Sequence, residues 1–95
     1  MIFEKHCEEA KATYGEPFEQ VHLWLDEFAG MPPWGSRHRK VRHHEAGIAE
    51  VESKWGTTAA KVARQHIESD LRLEGWKPAD RFPKDEDDYL RLGFW

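Results

Sequence analysis

The chain has 95 residues, a formal net charge of -4 with neutral histidines, and a single cysteine. This length has room for one hydrophobic core, so we expect one helical domain over residues 1–95. The lone cysteine excludes an internal disulfide and a cysteine-rich zinc module. No apolar run approaches the roughly 20 residues that cross a bilayer, so we expect a soluble, cytoplasmic protein without a membrane partner. The negative charge argues against nucleic acid as a partner.

Two helices are predicted in the first third of the chain. Residues 3–14 are rich in Ala, Glu and Lys and stop at Gly15, as a short helix would. Pro17 suits the first position of a second helix, which Gly30 and a proline pair end. The apolar stripe of this second helix consists of Phe18, Val21, His22, Leu25 and Phe28.

Two longer helices follow. Ser36 is a good cap for a third helix that runs to Trp55, and Thr57 or Thr58 starts a fourth helix that ends around Gly75. The inward face of the third helix carries Val41, His44, Ile48, Val51 and Trp55. These residues recur at spacings of three and four, which is the period of a helix with one buried face.

The C-terminal tail, residues 76–95, contains an acidic run at 85–88. Acidic residues favour a helix start, so we expect a last short helix through Leu92 that packs on the other helices. No alternating strand pattern is present. The predicted fold is all-α, a compact bundle of about four helices with a short C-terminal helical tail.

Six histidines are the most informative chemical feature of the sequence. The apolar stripes place His22 and His44 on inward faces, and His6 shares a face with Phe3. His43 lies about 100° around the helix from His44, so we expect it at an edge or in solvent. A single inward histidine is usually a hydrogen-bonded core residue. Several of them in one small core favour a shared metal ion, because each buried imidazole must replace its lost hydration.

Two histidines are each followed by an aspartate four residues later, in the pairs His22/Asp26 and His66/Asp70. Residues at this spacing lie one turn apart on one helix face. Such a pair either binds one metal together or combines a ligand with the residue that orients it, although it is also commonly a local ion pair. The candidate metal ligands are His6, His22, Asp26, His38, His44, His66 and Asp70.

The expected cofactor is a divalent transition metal. Zinc suits histidine and carboxylate ligands best, and iron and manganese are the alternatives. If the site is catalytic, the simplest reaction is metal-assisted hydrolysis, in which Asp26, Asp70 or a free histidine takes a proton from metal-bound water. Whether the protein is an enzyme stays open at this point.

Two further interpretations concern other residues. Arg37, Arg39 and Arg42 lie close together near a helix start and are candidates for anion binding. The alternative is that the protein is a non-enzymatic interaction or inhibitor module in which the histidines are structural. A protein partner or a second copy of the chain would then bind to exposed aromatic residues. Those aromatic residues would be Trp34, Trp76, Phe94 and Trp95.

Several segments resemble a known family. The runs Arg37-His38-Arg39 and Arg42-His43-His44-Glu45-Ala46-Gly47-Ile48 resemble the signature of a small uncharacterised family of bacterial and phage proteins, a domain of unknown function. His22-Leu23-Trp24-Leu25-Asp26 is similar to its His-x-Trp-Phe-Asp segment, and Gln65-His66-Ile67 with Asp70-Leu71 is similar to its Gln-His-Val-x-x-Asp-Leu segment. His6 matches a histidine near its start. The resemblance implies that these histidines form a set, and it implies no activity. A looser likeness to hemerythrin-like di-iron bundles fails at the spacing of the middle histidines.

Overall fold

Amphipathic segments form helices over most of the chain. Residues 3–32 and 38–93 are those that the computed structural model of the protein describes. These residues contain α1 (Phe3–Tyr14), α2 (Glu19–Leu25), α3 (Arg39–Arg42), α4 (Glu45–Trp55), α5 (Thr57–Leu73) and α6 (Glu86–Leu92). The described part of the chain contains no strand, so the all-α prediction is confirmed. None of its helices is long and apolar enough to cross a membrane. Trp34, Ser36, Arg37, Phe94 and Trp95, which the sequence analysis singled out, lie outside the described residues.

Helix α2 is shorter than predicted at both ends. It begins at Glu19, after Phe18 adopts a left-handed conformation with φ 53°, so Pro17 precedes the helix instead of starting it. It ends at Leu25 because the following residues form tight turns. In these turns the Ala29 amide donates to the Asp26 carbonyl at 2.9 Å, and the Met31 amide to the Phe28 carbonyl at 3.1 Å.

The predicted third helix is two helices, and the prediction of a continuous one was wrong. His43 ends α3, and His44 then takes an extended conformation with φ -157° and ψ 176°. The His44 side chain caps α4 by accepting a hydrogen bond from the Gly47 amide at 3.0 Å. The two helices approach closely at Gly47, where an added Cβ would lie 1.9 Å from the Arg42 carbonyl oxygen. A glycine therefore permits the sharp turn between α3 and α4.

Helix α5 is central and contacts α1, α2 and α4. One hydrophobic core joins these helices to the C-terminal tail. Its members are Ala10, Val21, Leu25, Val51, Ala59, Val62, Ala63, Ile67, Leu71, Trp76, Phe82 and Tyr89. The Cα radius of gyration is 12.4 Å, close to the ~12 Å of a compact chain of this length. Trp76 is only 5% exposed, so its predicted role as an exposed contact residue was wrong.

Candidate metal centre

Polar side chains from several helices meet beside the apolar core. His66 and Asp70 lie one turn apart on the buried face of α5, with exposures of 1% and 2%. Asp26 is the C-terminal cap of α2, and His43 is the C-terminal cap of α3. We call Asp26, His43, His66 and Asp70 the Asp/His tetrad. Helix ends therefore supply two of its members, and the central helix supplies the other two.

The donor atoms of the Asp/His tetrad converge closely. The Nε2 atoms of His43 and His66 are 3.1 Å apart. His43 Nε2 lies 3.2 Å from Asp26 Oδ1 and 3.2 Å from Asp70 Oδ2. His66 Nε2 lies 3.4 Å from Asp26 Oδ2 and 3.3 Å from Asp70 Oδ2. One donor atom from each of the four residues lies within 4.8 Å of the others.

These spacings resemble those of ligands around a metal ion. Zinc ligands at about 2.1 Å from the ion in a tetrahedral arrangement lie roughly 3.4 Å from one another. Each Nε2 atom carries at most one proton. The two Nε2 atoms therefore cannot donate a hydrogen bond in all five of these contacts at once. The Asp/His tetrad thus has the donor types and the spacing that can hold a metal ion.

Three further side chains contact the two carboxylates. His6 Nε2 lies 3.2 Å from Asp70 Oδ1, and Arg39 Nη2 lies 3.5 Å from the same oxygen. His38 Nε2 lies 3.2 Å from Asp26 Oδ1. The side chains of His38 and Asp26 are 15% and 27% exposed, so this edge of the cluster is the one that faces solvent.

His22 lies behind His66, away from the carboxylates of the tetrad. Its Nδ1 is 2.9 Å from His66 Nδ1, and its Nε2 is 3.0 Å from the Pro17 carbonyl oxygen. His6, His22 and His66 also bring one donor atom each within 4.8 Å. The rings of His6 and His66, however, are stacked at 3.6 Å with an interplanar angle of 16°. The nitrogen lone pairs lie in the ring planes, so two stacked imidazoles cannot both aim at one ion, and the Asp/His tetrad is the better metal site.

The pKa values of the cluster separate the charged groups from the neutral ones. Burial alone would raise the pKa values of Asp26 and Asp70, but hydrogen bonds from the surrounding imidazoles outweigh burial and hold both below the usual range. Burial, and then the neighbouring His66 and His6, lowers the pKa of His22 from 6.5 to about 4. At neutral pH the cluster therefore holds two ionised carboxylates and a neutral His22.

A known family matches most of the chain. The family described as Domain of unknown function (DUF6915) matches residues 1–80. The chain belongs to this family. The predicted membership of an uncharacterised family is thereby confirmed, and a bacterial or phage origin stays a prediction. No curated protein and no solved structure matched the chain.

The DUF6915 region contains the whole Asp/His tetrad, and α6 lies beyond it. The structure brings together six of the seven side chains that the sequence analysis selected as ligands. They are His6, His22, Asp26, His38, His66 and Asp70.

His44 is the predicted ligand that the fold does not bring into this cluster. Its Nε2 donates to the Val41 carbonyl at 3.0 Å, and its Nδ1 caps α4. His43 is fully buried inside the cluster, so the expectation that it faces an edge or solvent was wrong. The prediction assumed one continuous helix through His43 and His44. The turn between α3 and α4 exchanges the directions of these two side chains, so that His43 and not His44 points into the cluster. Histidine is not a preferred N-cap residue, so the sequence offered little signal of this turn.

The DUF6915 region also contains the three arginines predicted to bind an anion, and the two described ones are engaged within the chain. Arg39 donates to Glu74 Oε1 at 2.8 Å in addition to its contact with Asp70. Arg37 lies outside the described residues. Anion binding by this group stays a prediction, and it would compete with existing carboxylate partners.

Arg42 joins α3 to the end of α2. It donates to the Trp24 carbonyl at 2.7 Å and to Glu27 Oε1 at 2.5 Å. Its guanidinium also lies 4.0 Å from the ring centroid of Trp24 and 4.7 Å from that of Phe28, as in cation–π contacts. These contacts hold the end of α2, and with it Asp26, next to the end of α3, where His43 lies.

Proposed function

We propose that the protein is a metal-binding helical domain whose Asp/His tetrad holds one divalent transition metal. Zinc is the first candidate, and iron and manganese are the alternatives. The observation that supports this most directly is the convergence of two imidazole nitrogens and two carboxylate oxygens, with contacts of 3.1–3.4 Å between them. Imidazole and carboxylate are ligands that all three metals accept.

The charge of the Asp/His tetrad also supports a cation there. With neutral imidazoles, Asp26 and Asp70 give the tetrad a formal charge of about −2. Asp70 is 2% exposed, and burying an ionised carboxylate is costly unless it is paired or coordinates a metal. Of the two tetrad carboxylates, Arg39 contacts that of Asp70, at 3.5 Å, and it also donates to Glu74. A divalent cation would balance the charge of both carboxylates at once.

The residues around the Asp/His tetrad take supporting roles in this proposal. His6 and His38 hydrogen-bond to the carboxylate oxygens of Asp70 and Asp26. Partners of this kind orient the ligands of a metal and tune their basicity. The ligand set therefore differs from the sequence-based one, because His43 takes the place that was assigned to His44.

The coordination number decides between a structural and a catalytic role. Four protein ligands around zinc make a closed tetrahedral site, which is typical of structural zinc. Iron and manganese prefer more than four ligands, so the four residues of the tetrad would leave coordination positions that water could fill. Asp26 and His38 are partly exposed, so water would enter on that side, and His38 could take a proton in metal-assisted hydrolysis. We therefore propose a structural role if the metal is zinc, and hydrolysis only with iron or manganese.

A non-enzymatic interaction module is the second candidate function. The observation that favours it is a surface groove lined by Gln20, Leu23, Trp24, Glu27 and Trp55. Leu23 and Trp55 are 59% and 39% exposed. Exposed tryptophan side chains such as Trp55 act as anchors in protein interfaces. This function is compatible with a structural zinc ion, because the metal would hold the end of α2, the helix that supplies most of the residues of the groove.

Elemental analysis of the purified, untagged protein by inductively coupled plasma mass spectrometry tests the metal site. We expect about one zinc, iron or manganese ion per chain. His66→Ala and Asp70→Asn should lose that metal. His44→Asn is the matched control, because asparagine retains an N-cap acceptor and residue 44 lies outside the tetrad. A folded wild-type chain that neither contains metal nor takes up any of the three added ions would refute the proposal.

A further inference from the structure

A short chain of hydrogen bonds connects the backbone before α2 to the Asp/His tetrad. It runs from the Pro17 carbonyl to His22 Nε2 at 3.0 Å, and from His22 Nδ1 to His66 Nδ1 at 2.9 Å. The other nitrogen of His66, Nε2, is the atom that faces Asp26, His43 and Asp70. His22 thus contacts the side of His66 that is turned away from the tetrad.

The direction of each hydrogen bond in this chain follows from its first acceptor. A carbonyl oxygen only accepts, so His22 Nε2 carries the proton and donates to Pro17. His22 is 1% exposed and lies against the two imidazoles of His6 and His66, which disfavours a positive charge on its ring. A neutral His22 with its proton on Nε2 has a lone pair on Nδ1. His66 Nδ1 must then be the donor between the two rings, which leaves His66 Nε2, on the side of the tetrad, as the nitrogen that can bind a metal ion.

We propose that His22 is a positioning residue that holds His66 in the tautomer and orientation required of a metal ligand. The inference rests on the proposed metal site, and it assigns to His22 a role other than that of a ligand. Metal-binding histidines usually donate their second N–H to an acceptor that fixes the ring. For His66 this acceptor is another imidazole, which is in turn held by a backbone carbonyl.

The other imidazole of the Asp/His tetrad lacks such a support among the described residues. His43 Nδ1 is buried and has no hydrogen-bond partner there. The orientation of His43 comes from the end of α3, whereas that of His66 is fixed through its own second nitrogen. Loss of His22 should therefore affect metal affinity through His66 in particular.

The backbone before α2 is shaped to present the Pro17 carbonyl. Phe18 is the residue other than glycine with a positive φ among the described residues, at 53°. The φ of Phe18 sets the orientation of the peptide that contains the Pro17 oxygen. A left-handed conformation is unfavourable for phenylalanine, so packing and hydrogen bonds nearby must maintain it, and the bond from His22 to the Pro17 carbonyl is one of them.

Two variants of His22 separate the positioning role from simple packing. His22→Leu fills much of the space but removes the acceptor for His66 Nδ1–H. His22→Asn keeps an oxygen near the position of the imidazole Nδ1. We expect the dissociation constant for zinc, measured by competition with a chromophoric chelator, to rise about 10–100-fold in His22→Leu. We expect it to stay within a few-fold of wild type in His22→Asn. Zinc affinity in His22→Leu equal to that of wild type would overturn the proposal.

A spectroscopic measurement tests the same inference without any metal. Nitrogen-15 NMR of the histidine rings in the metal-free wild-type chain should show His66 protonated at Nδ1 and His22 protonated at Nε2. A His66 ring without a proton on Nδ1 would overturn the proposal. If His22→Leu does not fold, the asparagine variant and this measurement still decide. If the wild type binds none of zinc, iron and manganese, the proposed function fails, and the protonation of His66 Nδ1 alone decides the role of His22.

Discussion

Tyr89 connects the C-terminal tail to the candidate metal site. Its hydroxyl donates to the carbonyl oxygen of His43, and its side chain is 1% exposed. His43 is the residue at which α3 ends, so this hydrogen bond holds the backbone from which His43 Nε2 reaches the Asp/His tetrad. Removing the hydroxyl would leave a buried carbonyl without this donor, which is a costly change.

We expect Tyr89→Phe to lower the free energy of unfolding by about 1–3 kcal/mol, measured by urea denaturation with and without zinc. Tyr14→Phe is the matched control, because the chain has two tyrosines and Tyr14 is only partly buried at the end of α1. An equal loss of unfolding free energy in the two variants would show that the hydrogen bond from Tyr89 to the His43 carbonyl does not stabilise the protein more than an ordinary tyrosine hydroxyl does.

The buried hydroxyl of Tyr89 should also make the stability of the protein depend on pH in the alkaline range. Burial raises the pKa of Tyr89 above its usual value of 10.0. The folded chain thus holds this proton more tightly than the unfolded chain does. The resulting stabilisation is complete below about pH 10 and is lost as the pH rises further. Denaturation between pH 8 and pH 11 should show a steeper alkaline loss in wild type than in Tyr89→Phe, and parallel curves would contradict this origin.

The individual ligands were predictable to different degrees. His66 and Asp70 were predicted from their four-residue spacing, because both lie on one continuous helix, α5. Asp26 was predicted in the same way, although it lies at the cap of α2. His43 was not, because its inward direction depends on the chain turning after α3. A helical period describes orientation only within one unbroken helix.

At the scale of elements, the turn between α3 and α4 is the decisive feature. Gly47 lies in the first turn of α4, and a Cβ there would meet the Arg42 carbonyl carbon at 2.7 Å as well as its oxygen. These are backbone atoms, so neither can move aside without displacing the end of α3. The turn therefore depends on the absence of a side chain at residue 47.

We expect Gly47→Ala to destabilise the protein by roughly 2–4 kcal/mol, which is the range of strongly disruptive substitutions. This reverses the usual effect, because alanine in place of glycine inside a helix normally stabilises it by about 1 kcal/mol. Ser53→Ala, at an exposed position of the same helix, is the control and should change stability little. Thermal denaturation followed by circular dichroism measures both, and a stabilised Gly47→Ala would refute the close approach of the two helices.

At the scale of the whole molecule, a metal in the Asp/His tetrad would cross-link the ends of α2 and α3 to the middle of α5. Each of these segments also packs by apolar contacts, but the ends of α2 and α3 belong to short helices of seven and four residues. Short helices are marginal without tertiary support. Metal binding to the folded chain should therefore add to its stability.

We expect zinc at 100 times its dissociation constant to stabilise the fold by about 2.7 kcal/mol. This corresponds to a rise in Tm of roughly 10–20 °C for a chain of this size. Asp70→Asn, which retains the shape of the side chain but removes its charge, should lose this response. Differential scanning calorimetry with zinc and with a chelator measures the effect. An identical Tm in both conditions would mean that zinc does not bind the folded state preferentially.

The amino-acid sequence alone was sufficient for the all-α class, for α1 and α5, and for the start of α6 in the acidic run at 85–88. These features depend on local periodicity, on capping residues and on glycines at helix ends, all of which act over a few neighbouring residues. The four-residue spacing of His66 and Asp70 is also a local feature, which is why these two residues could be selected together from the sequence.

The histidine that completes the tetrad, His43, was decided by tertiary structure. The turn at His43 and His44 forms because Gly47 lets α4 approach Arg42, and because Tyr89, in the tail, binds the His43 carbonyl. These interactions join residues that are distant in the chain or that have no distinctive local pattern. They determine which of two adjacent histidines reaches the Asp/His tetrad, and the periodicity of the sequence contains no information about that choice.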